Sequence, residues 1–403
     1  MKEFKVEAIY KVSDKVLIER EEDNISLYYI SSNKSILINE ATYQFIYVFF
    51  IPRTLKTAIK ELSNKFMINE EECKDILDNL IENNIIIKYK PKFKADNYMV
   101  GGIFGTSIIP LNEVLSSELI KVVFLGFPYD LSVTYKSGCK FAPNALRKAS
   151  TSIFNYKLEN NVPTGMWSDV ENRNILEGIF MADCGDVNSL IYHRNGKEFD
   201  FVRNIVAKLS KQNKFPVILG GDHSISLANI LGILDSYDEV GIIHFDAHND
   251  YGEDLVDDWK EKCHHGNFMN WIASNDKVKI IAQIGIRQLR DKRLENDKFK
   301  IWPGRKILAD LNNLENTLSK DIPYYITFDV DCLDPSIMNS TGTVLPGGFL
   351  YNEVIEVLQK ICDTFNIIGL DICEFIPKDE SDAIMISDII LRIIDYVTRR
   401  ARK

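Results

Sequence analysis

The chain has 403 residues and a formal net charge of -10, with 48 Lys and Arg against 58 Asp and Glu, which makes a polyanion an unsuitable partner for the whole molecule. Its apolar residues, 45% of the total, suffice for a large core and a second domain, yet no run approaches the ~18 residues of a membrane-spanning helix. Seven cysteines, odd in number and lacking any CxxC pair, argue for a reducing compartment, and the charged start MKEFKVEAIYK is no signal peptide, so a cytoplasmic protein is expected.

Residues 1–90 read as a small α+β unit. Strand-like stretches FKVEAIYK, KVLIER, ISLYYIS and SILI precede three helical segments and a short apolar run, IIIKY. Thr54 is the expected N-cap of the second helix, with Leu55, Ile59, Leu62 and Phe66 on one face. Asn69 and Glu72 form a capping-box pattern ahead of Ile76, Leu77, Leu80 and Ile81 in the third. Strands, three helices and a closing strand describe a winged-helix module. With 13 Lys and Arg against 15 Asp and Glu, it lacks the basic balance that nucleic-acid binding draws on. Residues 91–115, with Gly101, Gly102, Gly105 and Pro110, read as a linker.

From residue 116 to 403, apolar runs (VVFLG, IFMAD, FPVILGG, VGIIHFDAH, KIIAQIGIR, YYITFDVD, IIGLDI) alternate with segments of helical period. This predicts a three-layer α/β domain with a mainly parallel sheet. Three of the runs end in acids and imidazoles: GGDHS (Gly220 to Ser224), DAHND (Asp246 to Asp250) and DVDCLDP (Asp329 to Pro335). Five of the six histidines lie between His223 and His265. In extended chain, residues i, i+2 and i+4 share a face, so Asp246, His248 and Asp250 are expected to converge, as are Asp329 and Asp331. Crowded carboxylates repel unless cations neutralise them. Together with His223 these residues predict a two-metal hydrolytic site, rich enough in oxygen to favour Mn over Zn, with Fe, Co and Ni left open. Asp222 and Asp334 are expected to orient ligands or cap turns. His244, alternating with apolar neighbours, is expected to be a satisfied core histidine.

These motifs, with VVFLGFPYD, SGCKFAPNALRKAS, MADCGDV, HHGN, QIGIR and DICEFIP, resemble the ureohydrolase family of arginases and agmatinases over roughly the last seventy percent of the chain. The resemblance implies two Mn2+ per chain. His223, Asp246, Asp250 and Asp329 would hold one, and His248, Asp246, Asp329 and Asp331 the other, so that Asp246 and Asp329 bridge. It implies a proton-shuttling role for His265, a substrate-gripping carboxylate at Glu374, and assembly as a homo-oligomer. The complete ligand set disfavours a metal-binding pseudo-enzyme used only to hold peptides.

The N-terminal stretches ILINEATYQFIYVF, RTLKTAIKEL and EEECKDILDNLIENNIII resemble PqqD-like leader-recognition domains. Such domains add a peptide as a strand to a sheet edge. The loop YGEDLVDDWKEKCH lacks the Asn and Ser with which arginases hold the α-amino and α-carboxyl groups of free arginine. Its acids Glu253, Asp254, Asp257, Asp258 and Glu261 would repel a carboxylate. The expected function is therefore conversion of peptidyl arginine to ornithine and urea in a ribosomally made precursor whose leader binds the N-terminal domain. An agmatinase-like hydrolysis of a small amine-bearing guanidine is the alternative.

Overall fold

The N-terminal segment begins with β1 (Ile9–Val12), followed by an antiparallel meander of β2 (Val16–Glu21), β3 (Asn24–Tyr29) and β4 (Lys34–Ile38). Helices α1 (Glu40–Tyr47), α2 (Leu55–Phe66) and α3 (Glu70–Glu82) come next, with the two-residue β5 (Arg53–Thr54) before α2 and β6 (Ile86–Lys88) closing the unit. β5 and β6 flank β1, both antiparallel to it. Thr54 caps α2 by accepting the Thr57 N–H at 3.3 Å, and Asn69 with Glu72 forms the capping box on α3. Ile76, expected on the buried face of α3, is 39% exposed; the inward stripe is Cys73, Leu77, Leu80 and Ile81, a spacing of four, seven and eight. This computed structural model describes residues 8–13, 15–21, 24–29, 34–50, 53–89, 94–95, 98–99, 101–187, 196–252, 259–291, 294 and 296–400.

Part of the expected linker is core. Ile103 and Phe104 are fully buried, Phe104 lies 5.9 Å from both Phe124 and Phe154, and the Ile103 N–H donates to Asp183 at 2.9 Å. The glycines around this pair marked a turn, and the apolar pair between them is what the turn buries.

Eight strands form one parallel sheet: β7 (Ile120–Gly126), β8 (Phe180–Asp186), β9 (Phe215–Leu219), β10 (Val240–Phe245), β11 (Val278–Ile284), β12 (Phe299–Trp302), β13 (Pro323–Asp329) and β14 (Asn366–Cys373). Their order across the sheet is β8-β7-β9-β14-β13-β10-β11-β12. Neighbouring residues of one strand enter opposite cores: Val123 and Leu125 face one side, Val122 and Phe124 the other. Helices α4 (Ala142–Ser150), α8 (Tyr351–Thr364) and α9 (Glu380–Arg400) bury their apolar stripes in the second core. α5 (Lys197–Lys211), α6 (Ile225–Leu234) and α7 (Met269–Ser274) cover the first. With both faces buried, the strands read as continuous apolar runs rather than as alternation. The eighth strand, β12, escaped that reading because its two middle residues, Lys300 and Ile301, are exposed at the sheet edge.

Candidate metal centre

Four adjacent central strands end at the site, as open α/β sheets place ligands beyond the carboxyl ends of their strands. GGDHS follows β9, DAHND follows β10, Asp329 is the last residue of β13, and Glu374 follows β14. Gly221 makes this crowding possible, since a Cβ there would lie 1.8 Å from the Tyr129 carbonyl oxygen. Through that gap the Asp222 N–H donates to Tyr129 O at 2.8 Å, and the Glu374 N–H donates to Gly221 O at 2.9 Å.

His223 Nδ1 lies 3.1 Å from an Asp246 carboxylate oxygen, 2.9 Å from Asp250 and 3.3 Å from Asp329. His248 Nδ1 lies 2.9 Å from Asp331 and 3.5 Å from Asp246. Asp246 thus belongs to both groups. Asp329 meets the second through the Asp331 N–H, which donates to its Oδ1 at 2.8 Å. The six residues converge, but not by strand alternation. β10 stops at Phe245, after which the His248 N–H turns back onto Asp246 Oδ1 at 2.5 Å, and Asp250 is left-handed at φ 47°. Asp331 sits in a single helical turn, Val330–Cys332.

The electrostatics fit two cations. Burial, then repulsion from Asp331 and Asp246, pushes the Asp329 carboxyl well above its ordinary value. Burial and Asp246 likewise raise Asp250, and push Asp331 up to about 7. Burial opposes ionisation of Asp246 too, but the neighbouring imidazoles of His223 and His244 outweigh it and hold its pKa well below the usual range. Among the described residues, His223 Nδ1 and Asp331 Oδ2 are buried without a hydrogen-bond partner. The first faces the carboxylates of Asp246, Asp250 and Asp329 and the second lies beside His248 Nδ1, and cations there would displace the protons that otherwise relieve the repulsion.

Residues behind the ligands set their orientation. Thr327 Oγ1 lies 2.8 Å from His223 Nε2, leaving Nδ1 for the cluster. His244 is buried and partnered as expected, with Nε2 at 2.8 Å from Asp246 and Nδ1 at 3.1 Å from Gln283. Among the described residues neither Asp222 nor Asp334 hydrogen-bonds an imidazole; each caps a turn, the other role expected of it. Asp222 accepts the N–H groups of Ser132 at 2.9 Å and Ser224 at 3.1 Å, while Asp334 accepts those of Ser336, Gly347 and Gly348, so both tie loops. Of the acids on the expected specificity loop, Glu253, Asp254, Asp257 and Asp258 lie outside the described residues.

Beside the cluster, His265 Nδ1 lies 3.1 Å from Glu374 Oε1, which also accepts the His223 N–H at 2.9 Å. Burial depresses the His265 pKa, but Glu374 prevails and pushes it up to about 9. Glu374 itself is left-handed at φ 62°. Two such non-glycine residues within one site are held there by its packing.

A parallel sheet with an acid-rich, two-imidazole cluster at its carboxyl edge, and a His–Glu pair alongside, defines a metal-dependent hydrolase class. The Arginase family model matches residues 120–396, and the chain belongs to that family, whose members hydrolyse guanidino groups at binuclear manganese sites. An agmatinase of Neisseria meningitidis serogroup A is 31% identical over 308 residues, covering 72% of this chain and 90% of the relative. An agmatinase of Cronobacter sakazakii is 30% identical over 319 residues, covering 76% and 97%. Among solved structures, the proclavaminate amidino hydrolase of Streptomyces clavuligerus matches with TM-score 0.64 at 22% identity, over 75% of this chain and 98% of that one. Arginase from Bacillus subtilis matches at 0.53 and 22%, over 68% and 98%. These two likenesses are of fold. Among the described residues no helix is long and apolar enough to cross a membrane.

Proposed function

We propose that the protein hydrolyses a guanidine to an amine and urea, with two manganese ions held by His223, Asp246, Asp250 and Asp329 and by His248, Asp246, Asp329 and Asp331. The carrying observation is the convergence of these six side chains beside the His265–Glu374 pair. Manganese held there would supply the chemistry the residues lack, a hydroxide nucleophile at neutral pH, by lowering the pKa of water. Glu374 would accept hydrogen bonds from the planar guanidinium, a geometry suited to a carboxylate. His265, in contact with that carboxylate, delivers a proton to the departing amine nitrogen, which would otherwise leave as an anion.

A small amine-bearing guanidine of the agmatine type is the first substrate reading, supported by relatives that bear that name and by a loop without the arginine clamp. Peptidyl arginine is the second, and one observation favours it. β4 pairs only with β3 among the described residues, and it presents Ile36 and Leu37, 45% and 73% exposed, on a sheet edge suited to an added strand. A leader peptide there would tether its arginines near the site at about millimolar effective concentration. Urea release from agmatine, free arginine and an Arg peptide with and without a leader separates the readings. Agmatine should be fastest; a leader-bearing peptide outpacing it would establish the second, and no urea from any guanidine would end both.

A further inference from the structure

Thr134 lies on the stretch 131–136, between the motifs VVFLGFPYD and SGCKFAPNALRKAS and part of neither. That loop is pinned near the site: Asp222 accepts the Ser132 N–H at 2.9 Å, Tyr129 Oη lies 3.1 Å from Ser132 Oγ, and the His265 N–H donates to Ser132 O at 3.3 Å. Two groups of Thr134 then meet one ring nitrogen. Its N–H donates to His265 Nε2 at 3.0 Å, and its Oγ1 lies 2.7 Å from the same atom. A backbone amide can only donate, so Nε2 presents its lone pair, and the ring proton stands on Nδ1 facing Glu374, which can only accept when ionised.

When the ring takes a second proton, that proton must sit on Nε2, opposite an amide N–H that repels it. The Thr134 hydroxyl is the one acceptor placed there among the described residues. We propose that Thr134 is a positioning residue for the proposed guanidine hydrolysis: its amide fixes the neutral Nδ1–H form of His265, and its hydroxyl receives the Nε2–H of the charged form. The inference rests on His265 as proton carrier, and its tautomer half can be read without turnover.

The test uses the full-length, manganese-loaded protein with agmatine, comparing Thr134→Val, which removes only the hydroxyl, with Thr134→Ser, which keeps it. Loss of a hydrogen bond to a charged ring should lower the Val variant's kcat about tenfold to a hundredfold, with KM little changed and Ser restoring the rate. Imidazole 15N spectra of the manganese-free full chain at alkaline pH, with the His265 signals assigned by their loss in His265→Asn, should show Nδ1 protonated and Nε2 bare. A protonated Nε2 in that spectrum overturns the amide half, and equal kcat for Val and Thr overturns the hydroxyl half. Full activity of His265→Ala would instead overturn the proton-carrier reading while leaving the tautomer result standing.

Discussion

Thr327 holds the far nitrogen of His223, and a threonine on a buried strand gives no sign of this because its partner lies 104 residues away in sequence. Groups that orient metal-bound imidazoles commonly contribute about 10- to 100-fold in metal affinity, so Thr327→Val should weaken manganese binding by that order, measured by competition with a chelator. Unchanged affinity would reduce the contact to packing. His265→Ala should keep the metal content of the parent while kcat falls by about 10²- to 10⁴-fold, checked by elemental analysis beside urea release; metal loss would place His265 among the ligands. The six proposed ligands could be picked out in the sequence because acids and imidazoles after apolar runs are chemically out of place. Their mutual arrangement could not, since it depends on an Asx-like turn at Asp246 and a left-handed Asp250 rather than on strand period. Asp222 and Asp334 cap local turns through Ser224 and Ser336, a role their sequence context allows, but the Ser132 and Gly347 amides they also tie in come from positions no local pattern connects to them.

Secondary elements were readable wherever the local signal was strong: the caps of α2 and α3 stand where Thr54 and the Asn69–Glu72 pair put them, and the seven apolar runs became seven of the eight strands of the parallel sheet. β12, half exposed at the edge, carries too little pattern to announce itself. Helix α5 holds a less visible feature. Glu198 is 1% exposed, its Oε2 has no partner among the described residues, and burial, helped by Asp200, pushes its pKa from 4.5 up to about 8 against the pull of backbone N–H groups including that of Gly196. The folded chain therefore binds this proton more tightly than the unfolded one. Its stabilisation is complete below the unfolded value and is lost as pH rises through the folded value. Thermal scans of Glu198→Gln should show a Tm that falls less than the parent's between about pH 5 and pH 8.5. Parallel curves would mean that Glu198 is solvated in solution.

At the scale of the whole molecule, the N-terminal unit docks on the catalytic sheet's own helix layer. Tyr47 and Phe50 stand edge-on to Phe201 of α5 at 4.8 and 6.3 Å, and the next aromatic of that helix, Phe199, packs 5.1 Å from Tyr129 and 5.8 Å from Trp259. Nothing in the sequence of the N-terminal unit says what Tyr47 and Phe50 pack against. Removing the Phe201 ring should cost about 3 kcal/mol, an upper range for a side chain not fully enclosed, and concentrate the loss at this junction. Limited proteolysis of Phe201→Ala should accelerate between the two units while the metal content stays that of the parent. Uniform acceleration along the chain would show that the junction is no weaker than the rest.

The sheet order carries a consequence for synthesis. β14, the last strand made, lies at the centre, between β9 and β13, and it delivers Glu374. Until it leaves the ribosome, the chain can assemble only two partial sheets, β8-β7-β9 and β13-β10-β11-β12, each with a raw apolar edge. At ~5–20 residues per second the interval from Asp329 to Cys373 lasts seconds, long enough for such edges to find each other on neighbouring nascent chains. A chain halted before Asn366 is consequently no smaller enzyme but two unjoined halves, and the yield of active protein depends on how well the cell shields those two edges before the central strand arrives.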